Sequence, residues 1–457
     1  MIDKIDSVVN AIGGFLYQPY IVPLFLIVAG LYFTIRTGLI QFRLFGESIH
    51  VVAEKPKEKG SISSFGALMV STASRVGTGN IVGVSTAICL GGFGAVFWMW
   101  VVALLGGASA FIESALAQVY KKKDGKGGCV GGPSYYMEQA LHQRWLGIIF
   151  AVVLILTYAV GYNMLASYNL QDAFSGFGFY AKSRTPYIIG AILAVLFAVC
   201  VLGGGKRLTD ITGVLVPVMG VLYILVSLIV IFMNIRIFPG VIANIFRDAF
   251  NFKAAFSGFT GSCIMWGIKR GLYSNEAGMG STPHAHALAN VKCPHEQGTV
   301  AMIGVFIDTF VVLTMTALVV ICTLYAGNGP LAHGAVDGIS KTNMAQLAFS
   351  SVFGETLGNA FVAICLLFFA FSTIVGWNLF GRINVNYLFG KKANLAYSII
   401  AIIFIFLGSC LSNDLVWELT DMFNQLMVLP NMIALVALSG IVAVAARKRS
   451  DEHELRK

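Results

Sequence analysis

Charge is what this chain lacks. Only 12% of its 457 residues are Asp, Glu, Lys or Arg, while 57% are hydrophobic. Soluble domains carry roughly a quarter charged residues. A mean hydropathy of +0.78 leaves more apolar surface than a water-soluble fold can hide. No hydrophilic stretch is long enough to make a soluble domain of its own. Organised cysteine is missing as well. Cys89, Cys129, Cys200, Cys263, Cys293, Cys322, Cys365 and Cys410 form no CxxC pair, and most lie in apolar runs. That pattern implies neither a disulfide framework nor structural zinc, and reads as buried, inert thiols. The opening residues, MIDKIDSVVNAIGGFLY, are acidic and have no cleavable-signal pattern. They read as a short amphipathic segment lying at a surface.

What is there is apolar length. The runs are continuous for about 20 residues, the reach of a membrane-crossing helix, and do not alternate as barrel strands do. Eleven spans are expected, near 17–36, 64–90, 94–120, 146–174, 187–202, 212–235, 255–275, 298–326, 353–380, 394–411 and 421–446. The chain reads as an all-α polytopic membrane protein, one integral unit set in lipid.

The net charge of +9 then reflects basic cytoplasmic loops, and no nucleic acid partner is implied. With the N-terminus outside, the inner segments hold 23 of the 31 Lys and Arg, and the outer segments hold seven; Arg75 is set aside. The expected orientation in the cell's inner (plasma) membrane is N-terminus out and C-terminus in the cytoplasm. KKKDGKGG at 121–128 is a solvated inner loop that signals this topology.

Setting the first span aside leaves ten, which divide five and five. The parts are 1–40, an N-terminal segment with an extra helix; 41–254, the first five-helix repeat; 255–447, the second; and 448–457, a cytoplasmic tail. The leading span of each half is interrupted, by SRVGTGN in one and WGIKRGLYSNEAGMGS in the other. Five is odd, so the second half enters from the opposite side. This is a five-plus-five inverted repeat with two discontinuous helices.

In hydrocarbon an unpaired backbone group costs several kcal/mol, so a broken helix persists only where something satisfies its ends. The break around Gly77, Thr78, Gly79 and Asn80 exposes one half-helix N-terminus, suited to a carboxylate, and one C-terminus, whose carbonyls suit a small cation. A zwitterion with a co-transported ion fits both. The same glycines at an isolated site would serve helix packing. GTGNIVG has the wrong spacing for a phosphate loop. Arg75 at mid-depth is costly and calls for a carboxylate partner. Glu113, Glu276 and Asp308 are the candidates, read as gating or structural pairs. His284 and His286 are two apart, do not share a helix face, and do not read as metal ligands. An enzyme reading finds no nucleophile–base pair, and a channel reading finds no repeated pore-lining ring.

Four segments carry a resemblance: SRVGTGNIVGVSTAICLGGFGAVFWMW (74–100), KRGLYSNEAGMGSTPHAHALA (269–289), GVFIDTFVVLTMTALV (304–319) and FFAFSTIVGWNLFG (368–381). Across nearly its whole length the chain resembles the alanine or glycine:cation symporters, which share the LeuT-type fold of the amino acid-polyamine-cation superfamily. The resemblance implies sodium-driven uptake, by alternating access, of a small neutral amino acid: alanine or glycine, or in some members glutamine. Sodium rather than a proton is the implied ion, and no obligate protein partner is implied. Thr78, Gly79 and Asn80 match the substrate-contacting break. Thr373 and Trp377 match pocket positions on one face of the ninth span, with Trp377 closing over the ligand side chain. Ser372 and Thr373 resemble the hydroxyl pair that holds sodium, completed by carbonyls near Ala73 and Val76. Back-bonding to the preceding turn is the other reading of such a pair. Ala166 stands where the family is expected to show a ligand-recognising glutamine, Tyr168 where it is expected to show asparagine, and Arg382 where an acidic residue is expected. Ala166 leaves space for a larger ligand.

Overall fold

The computed structural model describes residues 21–54, 62–123, 128–202, 205–251, 263–332, 341–447 and 452–456, with residues 11, 12, 15 and 339 besides. Most of the N-terminal surface segment expected from the sequence lies outside the described residues.

The described chain is almost entirely helical. In chain order the long elements are α1 (Ile21–Arg36), α2 (Ser64–Arg75), α3 (Val82–Gly91), α4 (Gly94–Val119), α5 (Arg144–Asp172), α6 (Thr185–Leu202) and α7 (Gly205–Met233). They continue with α8 (Cys263–Asn275), the short α9 (Pro283–Ala287), α10 (Pro294–Tyr325), α11 (Glu355–Phe389), α12 (Asn394–Cys410) and α13 (Asn413–Ala445). Seven of the described helices are long and apolar enough to cross a membrane unaided. Others are shorter or broken, so helix length alone does not fix the number of crossings.

The sequence explains the sorting of these helices. α6 and α7 present Ile188, Ile192, Val195, Val199, Val218 and Leu225 outward, an apolar surface fit for lipid. The broken elements are inside. Every residue from Ala67 to Ile88, and every residue from Arg270 to Ala287, is buried. α4 packs against both α8 and α10, and α11 packs against α2. The broken pair is therefore enclosed by unbroken helices, which is where irregular backbone survives in a bilayer.

The structure revises one element of the charge count. Lys269 and Arg270, two of the 23 Lys and Arg that the sequence assigns to inner segments, lie within α8, ahead of its break. Both meet Asp421 of α13, at 2.6 and 3.0 Å. Removing these two from the inner count leaves the loop asymmetry in the same sense. At the far end of the chain, Arg456 donates to the Val119 carbonyl through Nε at 2.9 Å, so the tail docks on the end of α4.

Candidate functional site

α2 ends because its backbone groups find other partners. Val76 is extended, and the Gly77 amide donates to Asn80 Oδ1 (2.9 Å) where a continuing helix would use the Ala73 carbonyl. Residues Thr78–Asn80 then make one 3-10 turn before α3 begins. The carbonyl of Ala73 is freed, and the Asn80 side chain caps the break it sits in. Small residues are needed for space. A Cβ on Gly77 would lie 2.5 Å from Thr373 Oγ1, and one on Gly79 would lie 2.7 Å from the Tyr273 ring.

The second interruption is shorter than the sequence suggested. α8 runs unbroken through WGIKRG to Asn275, and the irregular backbone is 276–282. Glu276 takes the left-handed conformation (φ 52°), unusual for a side chain of its size. Its carboxylate is fully enclosed and accepts three bonds: from Ser74 (3.0 Å), Ser281 (2.8 Å) and Trp377 Nε1 (2.7 Å). Glu113 of α4 accepts from the amides of Gly278 (3.2 Å) and Gly280 (3.1 Å) and from Asn431 Nδ2 (3.1 Å).

Asp308 joins the two breaks. It sits in a π-helical turn of α10, a widened turn of the kind that recurs at functional sites. Its carboxylate accepts from Asn80 Nδ2 (2.7 Å) of the first break and from Ser274 Oγ (3.0 Å) just before the second. Arg75, 2% exposed, donates to Thr282 Oγ1 (2.9 Å) and the Ala301 carbonyl (3.3 Å). Among the described residues no ion pair includes it. The three carboxylates expected as its partners act on its charge from further away. Its immediate partners are neutral, and Thr282 ties it to the second break.

The residues expected to form a pocket are brought together in part. Trp377 packs against Tyr162 (4.7 Å between ring centroids) and stacks on Tyr158 (5.8 Å), and Tyr162 meets Tyr273 edge-on at 5.0 Å. Tyr273 in turn covers Gly79. Thr78, Gly79, Asn80, Thr373 and Trp377 thus share one buried centre with three tyrosines. The Tyr162 hydroxyl is buried there with no hydrogen bond among the described residues, and the enclosed Thr78 and Tyr273 hydroxyls face one another. Ala166 is buried in the part of α5 that packs on the 3-10 turn. Trp377 is not free to swing, since Glu276 holds its indole. The tyrosines were missed in the sequence reading. The signal was present, as Tyr158 and Tyr162 are four apart in an otherwise apolar run.

Thr373 Oγ1 lies 3.4 Å from the Val76 carbonyl and 2.5 Å from that of Phe369. Ser372 Oγ lies 3.0 Å from the same Phe369 carbonyl. Both hydroxyls back-bond within α11, and Thr373 also reaches across to α2. The donor set is all neutral oxygen. Beyond α3, a cavity of about 530 Å³ is lined by Ile88, Cys89, Phe93, Asn244, Asp248 and Tyr325.

Residues 2–456 match the model of the sodium:alanine symporter family. The chain belongs to that family. It is 40% identical over 437 residues to the amino-acid carrier protein AlsT of Bacillus subtilis (strain 168), covering 95% of this chain and 90% of AlsT. It is 39% identical over 446 residues to the probable sodium/glutamine symporter GlnT of the same organism, covering 97% and 90%. The sodium/alanine symporter AgcS of Methanococcus maripaludis is 38% identical over 445 residues, with 95% of each chain covered. Among solved structures, MhsT in complex with L-phenylalanine superposes with a TM-score of 0.60 at 14% identity, covering 88% of this chain and 95% of MhsT. That likeness concerns the fold, which is LeuT-type. Family membership and the apolar helices make this a multi-pass membrane transporter.

Proposed function

We propose that this symporter-family chain couples inward sodium to uptake of a small neutral amino acid by alternating access about the buried break at Thr78. The observation that carries the reading is the set of enclosed hydroxyls beside a half-helix end: that of Tyr162 has no partner among the described residues, and those of Thr78 and Tyr273 have only each other. Buried polar atoms without partners are rare and call for a polar occupant. The positive end of α3 suits the solute carboxylate. Sodium is the proposed co-transported ion. Val76, Ser372, Thr373 and the freed Ala73 carbonyl are its proposed ligands, with Phe369 supplying a further oxygen. Hard, neutral oxygens suit a cation that need not be a proton. One relative is named a putative sodium/proton-dependent alanine carrier, YrbD of Bacillus subtilis (strain 168), so the ion is decided by experiment.

Alanine or glycine is the leading solute. The glutamine in one relative's name, with the space left at Ala166, supports testing a larger one. The repeat halves 41–254 and 255–447, and the N-out orientation, belong to the same proposal. Uptake into proteoliposomes tests the reading. Radiolabelled alanine should accumulate above equilibrium under an inward sodium gradient, and unlabelled glycine or glutamine should compete. Accumulation driven equally well by a proton gradient without sodium removes the ion assignment. Equilibration without accumulation removes symport.

A further inference from the structure

One hydrogen-bonded chain runs from the central pocket to the 128–143 loop, which carries the short helix Pro133–Gln139. Trp377 Nε1 donates to Glu276 Oε1 (2.7 Å), and the Ser281 hydroxyl donates to Oε2 of the same carboxylate (2.8 Å). His284 Nδ1 donates to the Ser281 carbonyl (2.7 Å), which leaves Nε2 to accept from Asn384 Nδ2 (2.8 Å). Those partners fix a neutral ring with its proton on Nδ1. Ser134, in the short helix Pro133–Gln139, donates to Asn384 Oδ1 (2.5 Å). All six residues are 2% exposed or less.

Aromatic packing follows the same route. The His284 ring stacks on Phe380 (5.7 Å), Phe380 meets Tyr158 (6.2 Å), and Tyr158 stacks on Trp377. The loop is pressed onto this column. Gly132 has φ 136°, and a Cβ there would lie 2.5 Å from His284 Nε2. A buried polar network is costly when half satisfied, so its members tend to move together or not at all.

We propose that this chain couples the seat of Trp377 to the docking of helix Pro133–Gln139, and that His284 and Asn384 are positioning residues which set, through Glu276, the side-chain size the pocket accepts. The size-setting half rests on the pocket reading above; the coupling half does not.

Two measurements on the full-length chain in proteoliposomes separate them. The first compares KM for alanine and for leucine. Ser134→Ala should change the leucine-to-alanine KM ratio about fivefold, a coupling within the usual range for connected networks. Ser134→Thr, which keeps the hydroxyl, should restore it. Asn384→Leu should act in the same direction, with thermal unfolding to confirm that it folds. The second measures maleimide labelling of Cys129, with the other seven cysteines replaced by serine or alanine. Trp377→Phe should speed that labelling about threefold or more, although Trp377 lies at the other end of the chain. Faster labelling with an unchanged KM ratio upholds the coupling and removes the pocket reading of Trp377. A KM ratio shifted by Asn384→Leu but not by Ser134→Ala, with unchanged labelling, overturns the coupling and leaves the pocket. No change in either overturns the proposal.

Discussion

The two broken helices solve one physical problem in different ways. At the first break the freed amide of Gly77 is capped from inside the break, by Asn80. At the second, the amides of Gly278 and Gly280 are held by Glu113 of α4, and the Gly278 carbonyl by Asn431 of α13. The first break is self-contained, and its neighbouring hydroxyls are left over. The second is a loop lashed to other helices, with its polar groups consumed. On the proposed reading, a solute and an ion bind at the first. Apart from Glu276, which holds Trp377 and Ser74, the second is scaffold, joined to the first through Asp308. Substitutions at the second break should therefore cost folding, and those at the first should cost binding.

The largest effect is expected at Glu113. Glu113→Ala strands two buried amides and Asn431, each worth about 1–3 kcal/mol when left unpaired. Detergent-purified protein should unfold at markedly lower temperature, and uptake should vanish with it. Glu113→Gln keeps an acceptor and should fall between. A variant that unfolds at the wild-type temperature but does not transport would place the second break in binding and erase the distinction.

Arg75 comes next. Arg75→Ala leaves the Thr282 hydroxyl and the Ala301 carbonyl without their donor, each worth about 1–3 kcal/mol when left unpaired. It also removes a cation whose field reaches Glu276, Glu113 and Asp308. Uptake should be lost. A second substitution, Glu276→Gln or Asp308→Asn, should restore it in part, and the one that restores most identifies the carboxylate that matters. Normal transport by Arg75→Ala alone would remove Arg75 from any gating role.

These expectations also mark what the sequence disclosed. The first break was legible because glycines and Asn80 have no business in an apolar span unless the helix stops there. The burial of its flanks followed from the same argument. The exact second break was not legible, since WGIKRG looks as disruptive as NEAGMGS, yet Lys269 and Arg270 stay helical by sharing Asp421 from 150 residues away. Arg75 illustrates the same limit. A lone charge announces that it needs partners, but the hydroxyl of Thr282 and the carbonyl of Ala301 carry no signal of their own. The tie from Trp377 to Glu276 was hidden for the same reason. Long-range pairing is a property of packing, and one chain read alone records only the local half of it.

A smaller effect is expected at Gly79. Gly79→Ala sets a methyl 2.7 Å from the Tyr273 ring. The ring must move away to restore ordinary contact, and overpacking of this kind costs about 1–3 kcal/mol of stability. The unfolding temperature should fall by less than in Glu113→Ala, because no buried polar group is stranded. KM for alanine should rise about tenfold, since 1.4 kcal/mol is one decade. An equal loss of stability and affinity would mean that the first break is as structural as the second.

The smallest and sharpest contrast is between neighbours. Ser372 and Thr373 both bond back to the Phe369 carbonyl, but only Thr373 also lies within 3.4 Å of Val76 in the broken helix. If the ion sits between α2 and α11, Thr373→Ala should raise the sodium concentration for half-maximal uptake about tenfold. Thr373→Ser, which keeps the oxygen, should hold it near wild type. Ser372→Ala should move it less than about threefold, because its oxygen serves its own helix first. Ser372 is then the weaker of the two proposed ligands, and equal shifts in both alanine variants would make it as strong as Thr373. If neither variant changes the sodium dependence, the ion is not held by this pair, and the oxygens around Asn80 and Asp308 become the place to look.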